Sequence, residues 1–417
     1  MQKRSCFVLI LPLFLLSCEK KPAKLISTSS SQSSNLDPTT DSGSDSEKGA
    51  GNAENEMEGE KASEPAKSVP EPDKPSAPES AEMKEPTPEP DLSIKAPFDK
   101  WTWINVPGAV CRDGSPADIA VNWHSNSSKI LMHLEGGWAC WNKASCGMNP
   151  SNIGAKNDPS PAGHWDRKSA KNPFADYNYV SVRNCTGDFY SGNNPDGDIP
   201  GVGKQKFVGY ANLDLYLTRI LATFPNLSEF VLAGTSAGGF GVFFNAEHFA
   251  RRMPGKKFVA LAACGHPVPS EAFAPCLQEQ FRDLWGMRKT VLSDCGDDCK
   301  SDSNFVFDSV LHFLKGPNRS AGFFGSLGDD ADRWVYGWGA NQCQTTAPNM
   351  PVNVFTPAML QLREKGSGLG ASLSTFYGQG EGHECWMGDW DRVVDSVRLG
   401  DWVKDILQGK SAHVGRP

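Results

Sequence analysis

The residues whose types and spacing most clearly indicate catalytic chemistry form the segment Gly234-Thr-Ser236-Ala-Gly238-Gly239. The segment follows an apolar run at 230–233 that is typical of a buried strand, and it precedes a stretch with helical spacing of apolar residues. A serine in a Gly-x-Ser-x-Gly sequence between a strand and a helix lies on a sharp turn that raises its hydroxyl above the sheet edge. Glycines are needed there because side chains would collide in so tight a bend. The pattern therefore predicts Ser236 as a nucleophile rather than as a plain helix cap.

A serine hydroxyl needs a histidine base, which an acidic side chain orients. In α/β-hydrolases the chain order is serine, acid, histidine. The candidate bases are therefore the five histidines after the serine: His248, His266, His312, His383 and His413. His383 is favoured because its glycine-rich segment lies between the last predicted strand and the last predicted helix, where such folds place the base. His266 is the weaker alternative.

The acid is less well defined by the sequence. Three carboxylates between Ser236 and His383 lie close together, and a second group lies upstream: Asp329, Asp330 and Asp332, then Asp294, Asp297 and Asp298. Most residues in such runs are solvated surface charges. Chain order alone leaves all six aspartates as candidates for the acid.

The segment His133-Leu-Glu-Gly136-Gly137-Trp138 could stabilise the negative charge that develops during acyl transfer. Two glycines at the end of an early strand let backbone N–H groups approach an oxyanion. Together with the N–H of Ala237, the residue after the nucleophile, they would form an oxyanion hole.

The elements that must position these residues predict an α/β fold. Apolar runs rich in β-branched or aromatic residues predict strands, and apolar residues at helical spacing predict helices between them. The predicted strands are 129–134, 178–182, 229–233, 257–263, 352–355 and 373–377, and the predicted helices are 213–224, 240–253 and 393–407. This alternation favours an α/β-hydrolase-like fold, with a mostly parallel central sheet flanked by helices. Residues 264–350 break the rhythm and are expected to be a disulfide-bearing insertion or cap.

The N-terminus has the features of an export signal. Lys3 and Arg4 precede an apolar run at 6–16 that is too short to span a membrane as a helix. The run ends in Leu-Leu-Ser-Cys18, which resembles a bacterial lipobox. We therefore expect a signal peptide at 1–17 and lipidation of Cys18. Multiple acyl chains would anchor the protein in the bacterial cell envelope, with the outer membrane or the cell surface favoured because Glu rather than Asp follows the cysteine.

The next segment, 18–95, is expected to be a disordered tether rich in Ser, Pro and Glu. Residues 19–95 contain no aromatic side chain and carry 17 acidic against 9 basic residues, so they cannot bury enough apolar surface to fold. The α/β-hydrolase-like domain is expected at 96–417, where 30 basic and 32 acidic residues nearly balance. Without a basic excess to neutralise phosphates, nucleic acid is excluded as a partner.

Ten cysteines remain when Cys6 and Cys18 are set aside, and an even number in an exported chain suggests up to five disulfides. The spacing of Cys140/Cys146 and of Cys295/Cys299 suits local bridges, and the pairing of the other six stays open. A zinc site at 295–299 lacks a second matching pair. No metal or cofactor is required by chemistry that serine, histidine and backbone groups perform, and a monomer is expected.

Five segments together resemble the pectin acetylesterase/Notum family, and the resemblance covers almost all of 101–408. The segments are Cys-Arg-Asp-Gly-Ser-Pro-Ala at 111–117, Leu-Glu-Gly-Gly-Trp-Ala-Cys-Trp-Asn at 134–142, Asn-Cys-Thr-Gly-Asp-Phe-Tyr-Ser-Gly at 184–192, Gly-Thr-Ser-Ala-Gly-Gly at 234–239 and Gly-His-Glu-Cys at 382–385. The second of them is closer to Notum, which removes a palmitoleoyl group from Wnt proteins, than to the plant enzymes.

The resemblance implies a catalytic role for residues at matching positions. It implies Ser236 as nucleophile, His383 as base, and the backbone of Gly137, Trp138 and Ala237 as oxyanion donors. The family's acid pattern best matches Asp329, although Asp332 stands where the family usually has Gln.

The expected function is that of a serine carboxylesterase acting on an acetylated, pectin-like or other polysaccharide. The alternatives are an esterase for longer acyl chains on a lipid or a lipid-modified protein, and a non-catalytic surface-binding lipoprotein. The expected partners are accordingly an acylated carbohydrate or a lipid-modified substrate, and a membrane through the N-terminal lipid anchor.

Overall fold

The computed structural model describes residues 91–301, 303–344 and 349–416. The predicted signal peptide, Cys18 and nearly all of the predicted tether therefore lie outside the described residues. The packed part of the chain reaches back to Ile94, which is buried and donates its backbone N–H to Thr223 Oγ1 at 2.7 Å. Within the described parts of the chain, no helix is both long and apolar enough to cross a membrane.

A nine-stranded sheet forms the centre of the molecule, in the order β1-β2-β4-β3-β7-β8-β9-β10-β13. Its strands are β1 (Thr102–Ile104), β2 (Ile119–Asn122), β3 (Lys129–Leu134), β4 (Asn178–Val182), β7 (Glu229–Thr235), β8 (Lys257–Ala263), β9 (Arg319–Ser326), β10 (Ser372–Gly378) and β13 (His413–Val414). From β4 to β13 every neighbouring pair is parallel, and β2 pairs antiparallel with both β4 and β1. The predicted mostly parallel sheet is confirmed.

Helices and two small hairpins surround this sheet. The helices are α1 (Lys143–Met148), α2 (Gly209–Thr223), α3 (Ala237–Arg252), α4 (Pro275–Trp285), α5 (Val291–Cys295), α6 (Phe305–Leu314), α7 (Asp330–Gly337), α8 (Ala340–Cys343), α9 (Val352–Gly366) and α10 (Leu399–Leu407). The hairpins pair β5 (Asn194–Ile199) with β6 (Gly203–Phe207), and β11 (Val393–Val394) with β12 (Val397–Arg398).

Alternate side chains of the central strands point into two separate cores. On β3, Ile130 and Met132 join the core shared with α2, α3, α4, α6 and α9, whereas Leu131 joins the core that contains α10. Because a strand residue faces the opposite side from its neighbour, a strand that is apolar at every position is covered on both faces. This layering is that of an α/β-hydrolase-like fold, as expected.

Three local predictions are wrong. Residues 352–355 begin α9 instead of forming a strand, because a four-residue apolar run does not distinguish the two, and the buried positions continue at helical spacing through Phe355, Met359 and Leu362. The last helix begins at Leu399, since residues 393–398 form the β11–β12 hairpin. The segment 264–350 is not wholly an insertion, because it contains β9, a central strand of the sheet.

Candidate active site

Ser236 lies in the turn between β7 and α3, directly above the middle of the sheet. Its backbone has φ +59° and ψ −120°, a conformation that residues other than glycine rarely adopt. The backbone N–H of Ser236 donates to the carbonyl of Ala263 on the neighbouring strand at 2.8 Å, which holds the strained turn in place. A strained residue that the surrounding structure holds in place is typical of a functional turn.

The glycines around the serine are required by close packing. A Cβ on Gly238 would lie 1.9 Å from the carbonyl oxygen of Leu134, and a Cβ on Gly239 would lie 2.0 Å from that of Cys264. The first turn of α3 therefore packs against the C-terminal ends of β3 and β8. This packing leaves the Ser236 side chain pointing away from the sheet.

His383 meets this serine from the loop that follows β10. Its Nε2 lies 2.8 Å from Ser236 Oγ, and its Nδ1 lies 2.8 and 2.9 Å from the two carboxylate oxygens of Asp329. The three side chains, 147 and 54 residues apart in sequence, form one hydrogen-bonded line. This is the nucleophile–base–acid geometry in which a carboxylate holds the imidazole in the orientation that removes a hydroxyl proton.

Asp329 is the acid that the structure brings to the histidine. It is fully buried and caps the N-terminus of α7, where its Oδ1 accepts the backbone N–H groups of Ala331 at 3.1 Å and Asp332 at 2.9 Å. Asp330 is exposed as the first residue of the helix. The helix cap thus fixes the carboxylate at the orientation that the imidazole needs.

Burial and charge set the protonation of this pair. Burial raises the pKa of Asp329, and the charge of Asp332 raises it further, while the bond to His383 acts in the opposite sense. For His383, burial lowers the pKa, but the hydrogen bond and charge of Asp329 and the charges of Asp332 and Asp330 outweigh it, so the pKa is raised above 6.5. The histidine is therefore a stronger base than a free imidazole.

The loop after β3 brings backbone N–H groups next to the serine. A Cβ on Gly136 would lie 3.1 Å from Ser236 Cβ, so the loop touches the nucleophile. Within residues 91–301, 303–344 and 349–416, the N–H groups of Gly137, Trp138 and Ala237 donate to no protein acceptor. These three N–H groups, which the sequence predicts as oxyanion donors, are therefore free to bind an oxyanion.

Two asparagines that sequence reasoning missed hold this loop. Asn149 Nδ2 donates to the carbonyls of Gly137 and Trp138 at 2.8 and 3.2 Å, and Asn184 Nδ2 donates to that of Trp138 at 2.7 Å. Both asparagines are buried. The Gly137 carbonyl lies in the same planar peptide group as the N–H of Trp138, so Asn149 fixes the direction of that N–H. The bonds to the Trp138 carbonyl hold the next peptide group of the loop. The position of Asn184 in one of the five motif segments was a usable signal.

Five disulfides join the ten cysteines of the described domain. The two predicted local bridges, Cys140–Cys146 and Cys295–Cys299, are confirmed, and the other three are Cys111–Cys185, Cys264–Cys385 and Cys276–Cys343. The Cys264–Cys385 bridge is next to the candidate site, because it ties the loop of His383 to the residue that follows β8.

The other candidate residues lie elsewhere. His248 bonds Tyr210 and Asp214, His312 bonds Asp298, and His413 bonds Thr375, all away from the serine. His266 lies behind the site, bound to Asp332. Among the residues that the structure describes, two groups have atoms close enough for a metal, namely Cys264, His383 and Cys385, and Asp329, Asp332 and His383. In the first the sulfurs are bonded to each other, and in the second the imidazole and the carboxylate of Asp329 already pair.

A serine on a strand–turn–helix elbow, followed along the chain by a buried acid and a histidine, places the protein in the class of α/β-hydrolase-like folds with a Ser-His-Asp constellation. A family model described as pectinacetylesterase matches residues 99–315. The chain belongs to the pectinacetylesterase/Notum family, a family of carboxylic ester hydrolases.

Individual relatives agree with this assignment. The chain is 30% identical over 152 residues to the mouse palmitoleoyl-protein carboxylesterase NOTUM, a match that covers 34% of this chain and 30% of the mouse protein. It is 26% identical over 205 residues to pectin acetylesterase 5 of Arabidopsis thaliana, covering 45% of this chain and 47% of that protein. These matches thus span less than half of either relative.

A solved structure of the Wnt deacylase Notum from Drosophila is similar in fold. The TM-score is 0.57 at 20% sequence identity, and the alignment covers 73% of this chain and 92% of that one. At this identity, the likeness shows a shared fold and extends over most of the described domain.

Proposed function

We propose that this protein is a serine carboxylesterase that cleaves O-acyl esters through Ser236, His383 and Asp329. The observation that carries the proposal is the unbroken line of hydrogen bonds from Ser236 Oγ through the imidazole to a fully buried carboxylate. Family membership supports the same chemistry.

The geometry allows a complete acyl-transfer cycle. His383 Nε2 removes the hydroxyl proton as Ser236 Oγ attacks the ester carbonyl carbon. The N–H groups of Gly137, Trp138 and Ala237 stabilise the negative charge that develops on the carbonyl oxygen. The imidazolium then protonates the leaving alcohol. Water attacks the acyl-serine with the same base, which releases the carboxylic acid and restores the serine.

For the substrate we propose an acetyl ester on a polysaccharide. One support is the similarity to a protein named as a pectin acetylesterase. Another is the packing beside the oxyanion loop, where the ring of Trp138 meets that of Trp334 edge to face, 5.2 Å between centroids. Both indoles are partly exposed. Because the rings are nearly perpendicular, the exposed face of one indole could stack on a sugar ring, and we propose that the pair limits the room for a long acyl chain.

The second candidate is a longer acyl ester on a lipid or lipid-modified protein. It is favoured by the similarity to proteins named as palmitoleoyl-protein carboxylesterases. In this case the tryptophan pair would have to separate to admit the chain.

The kcat/KM of the full chain on p-nitrophenyl acetate and p-nitrophenyl octanoate, with Ser236→Ala as control, separates these proposals. Each methylene that enters an apolar pocket contributes about 0.8 kcal/mol, so six of them would favour octanoate by roughly 10³-fold. Preference for acetate supports a small acyl site, and a strong preference for octanoate supports the second candidate. Activity that survives in Ser236→Ala would contradict both.

The cellular location is part of the proposal and rests on the sequence of the N-terminus. A signal peptide at 1–17, lipidation of Cys18 and a tether that ends before Ile94 would hold the esterase domain off the bacterial envelope, towards polymers at the cell surface. Incorporation of a palmitate analogue that Cys18→Ser abolishes would support this arrangement.

A further inference from the structure

A second histidine–carboxylate pair lies behind the acid of the candidate site. His266 is 1% exposed and Asp332 is 2% exposed, and His266 Nδ1 lies 2.8 Å from Asp332 Oδ2. The same oxygen accepts the backbone N–H groups of Gly265 and His266, each at 3.1 Å. Asp332 is thus held in one orientation by three donors at the end of β8.

Asp332 is close enough to act on the base. One carboxylate oxygen of Asp332, one of Asp329 and one ring nitrogen of His383 all lie within 4.8 Å of one another. Asp332 and Asp329 share the first turn of α7, where the backbone N–H of Asp332 donates to Asp329 Oδ1. The site therefore contains two buried carboxylates beside the imidazole of His383, and His266 binds the second of them from behind.

Such a pair is costly unless a positive charge appears next to it. Two negative charges at this separation repel each other, and Asp332 is one cause, after burial, of the raised pKa of Asp329. A neutral amide at 332 could accept the same backbone N–H groups without repulsion. The group that gains from both charges is His383, which becomes an imidazolium when it takes the serine proton.

We propose that Asp332, held by His266, is a positioning residue that stabilises the protonated form of His383 with a second negative charge. The inference rests on the proposed function, because His383 must be the base. In the described part of the chain Asp332 makes no hydrogen bond to Ser236, and it acts only through the imidazole.

The other charged and titratable groups around this cluster do not supply a second buried negative charge beside His383. Tyr336 donates to the carbonyl of His266 at 2.5 Å, and burial raises the pKa of Tyr336 and of Tyr377, so both stay neutral. Arg333 is paired with Glu381 at 2.7 Å. The remaining neighbours are His266, whose charge lowers the pKa of Asp329, and Asp330, which is exposed to solvent and screened.

The test is the pH profile of kcat/KM for the full chain, Asp332→Asn and Asp330→Asn. An opposite charge within about 4–6 Å shifts a pKa by one unit or more. The acidic limb of Asp332→Asn is therefore expected to move to lower pH by about one pH unit, while its plateau falls roughly three- to tenfold because the base is weaker. The exposed Asp330→Asn control is expected to move the limb by only a few tenths of a pH unit.

A second pair of variants keeps the test decisive if Asp332→Asn does not fold. His266→Asn keeps a side-chain donor near the position of Nδ1, and His266→Leu removes it. Without that donor the Asp332 carboxylate loses one of the three hydrogen bonds that fix its orientation beside His383, so His266→Leu should move the acidic limb in the same direction and His266→Asn should restore it. Superimposable profiles for wild type and Asp332→Asn, or for the two His266 variants, would overturn the inference.

Failure of this inference can be told apart from failure of the proposed function. If Ser236→Ala keeps the wild-type activity, the proposed function fails. The pKa of His383 can then still be compared between wild type and Asp332→Asn by NMR titration of the ¹⁵N-labelled imidazole. An unchanged His383 pKa in an active, Ser236-dependent enzyme would overturn only the role of Asp332.

Discussion

The disulfide between Cys264 and Cys385 is expected to hold His383, the proposed base, in position beside Ser236. Cys264 follows the last residue of β8, whose Ala263 carbonyl accepts the backbone N–H of Ser236, and Cys385 is two residues beyond His383. One covalent bond thus joins the strand end that supports the elbow to the loop that carries the base. Replacing both cysteines by alanine should release that loop.

The expected loss of stability can be matched in a control. The bridge spans 121 residues, so in the chain-entropy model its removal costs about 4.9 kcal/mol. The Cys276–Cys343 bridge spans 67 residues, and the same relation gives about 4.4 kcal/mol. That second bridge joins α4 to α8 and does not touch the loop of His383. The two double-alanine variants should therefore unfold at similar denaturant concentrations.

Esterase activity should distinguish the two double-alanine variants. A displacement of about 1 Å at a reacting group can cost about 10²-fold in rate. We expect Cys264→Ala/Cys385→Ala to lose at least that much kcat/KM on p-nitrophenyl acetate, measured where both variants are folded, and Cys276→Ala/Cys343→Ala to lose much less. Equal activity in the two variants at equal stability would refute the reasoning.

Three further predictions address the elbow, the acid and the acyl site. Gly238→Ala would place a Cβ 1.9 Å from the Leu134 carbonyl and should abolish activity and lower Tm, whereas Gly147→Ala, where nothing lies within 4 Å, should do neither. Asp329→Asn should lower kcat by a factor on the order of 10⁴ with a small change in Tm, as the equivalent change does in serine proteases. Trp334→Ala should raise the octanoate-to-acetate ratio of kcat/KM about tenfold or more, because it opens room for one or two methylenes.

Much of the scaffold was predictable because its strands are buried on both faces. The runs at 129–134, 178–182 and 257–263 match the observed strands residue for residue, since short runs rich in apolar and β-branched residues favour a buried strand. β9 was missed because its sequence contains Gly322 and Gly325. Gly322 is required where α10 packs on the sheet, since a Cβ there would lie 2.9 Å from the Trp402 ring.

The candidate site was predictable in its residues but not in its connections. Ser236 and His383 could be singled out because the elbow and the chain order constrain them. The choice of Asp329 over Asp330 depends on which residue caps α7, a difference of one position that spacing does not reveal. The support from Asn149, His266 and Asp332 depends on contacts between distant segments, which a single sequence does not encode in any local pattern.

The central claim is that Ser236 is a nucleophile activated by His383. The most direct measurement is the intact mass of the full chain after incubation with a fluorophosphonate, followed by mapping of the modified peptide. We predict one adduct per chain on Ser236, absent from Ser236→Ala and strongly slowed in His383→Ala. No adduct on the wild-type chain, or an adduct on another residue that Ser236→Ala retains, would contradict the account.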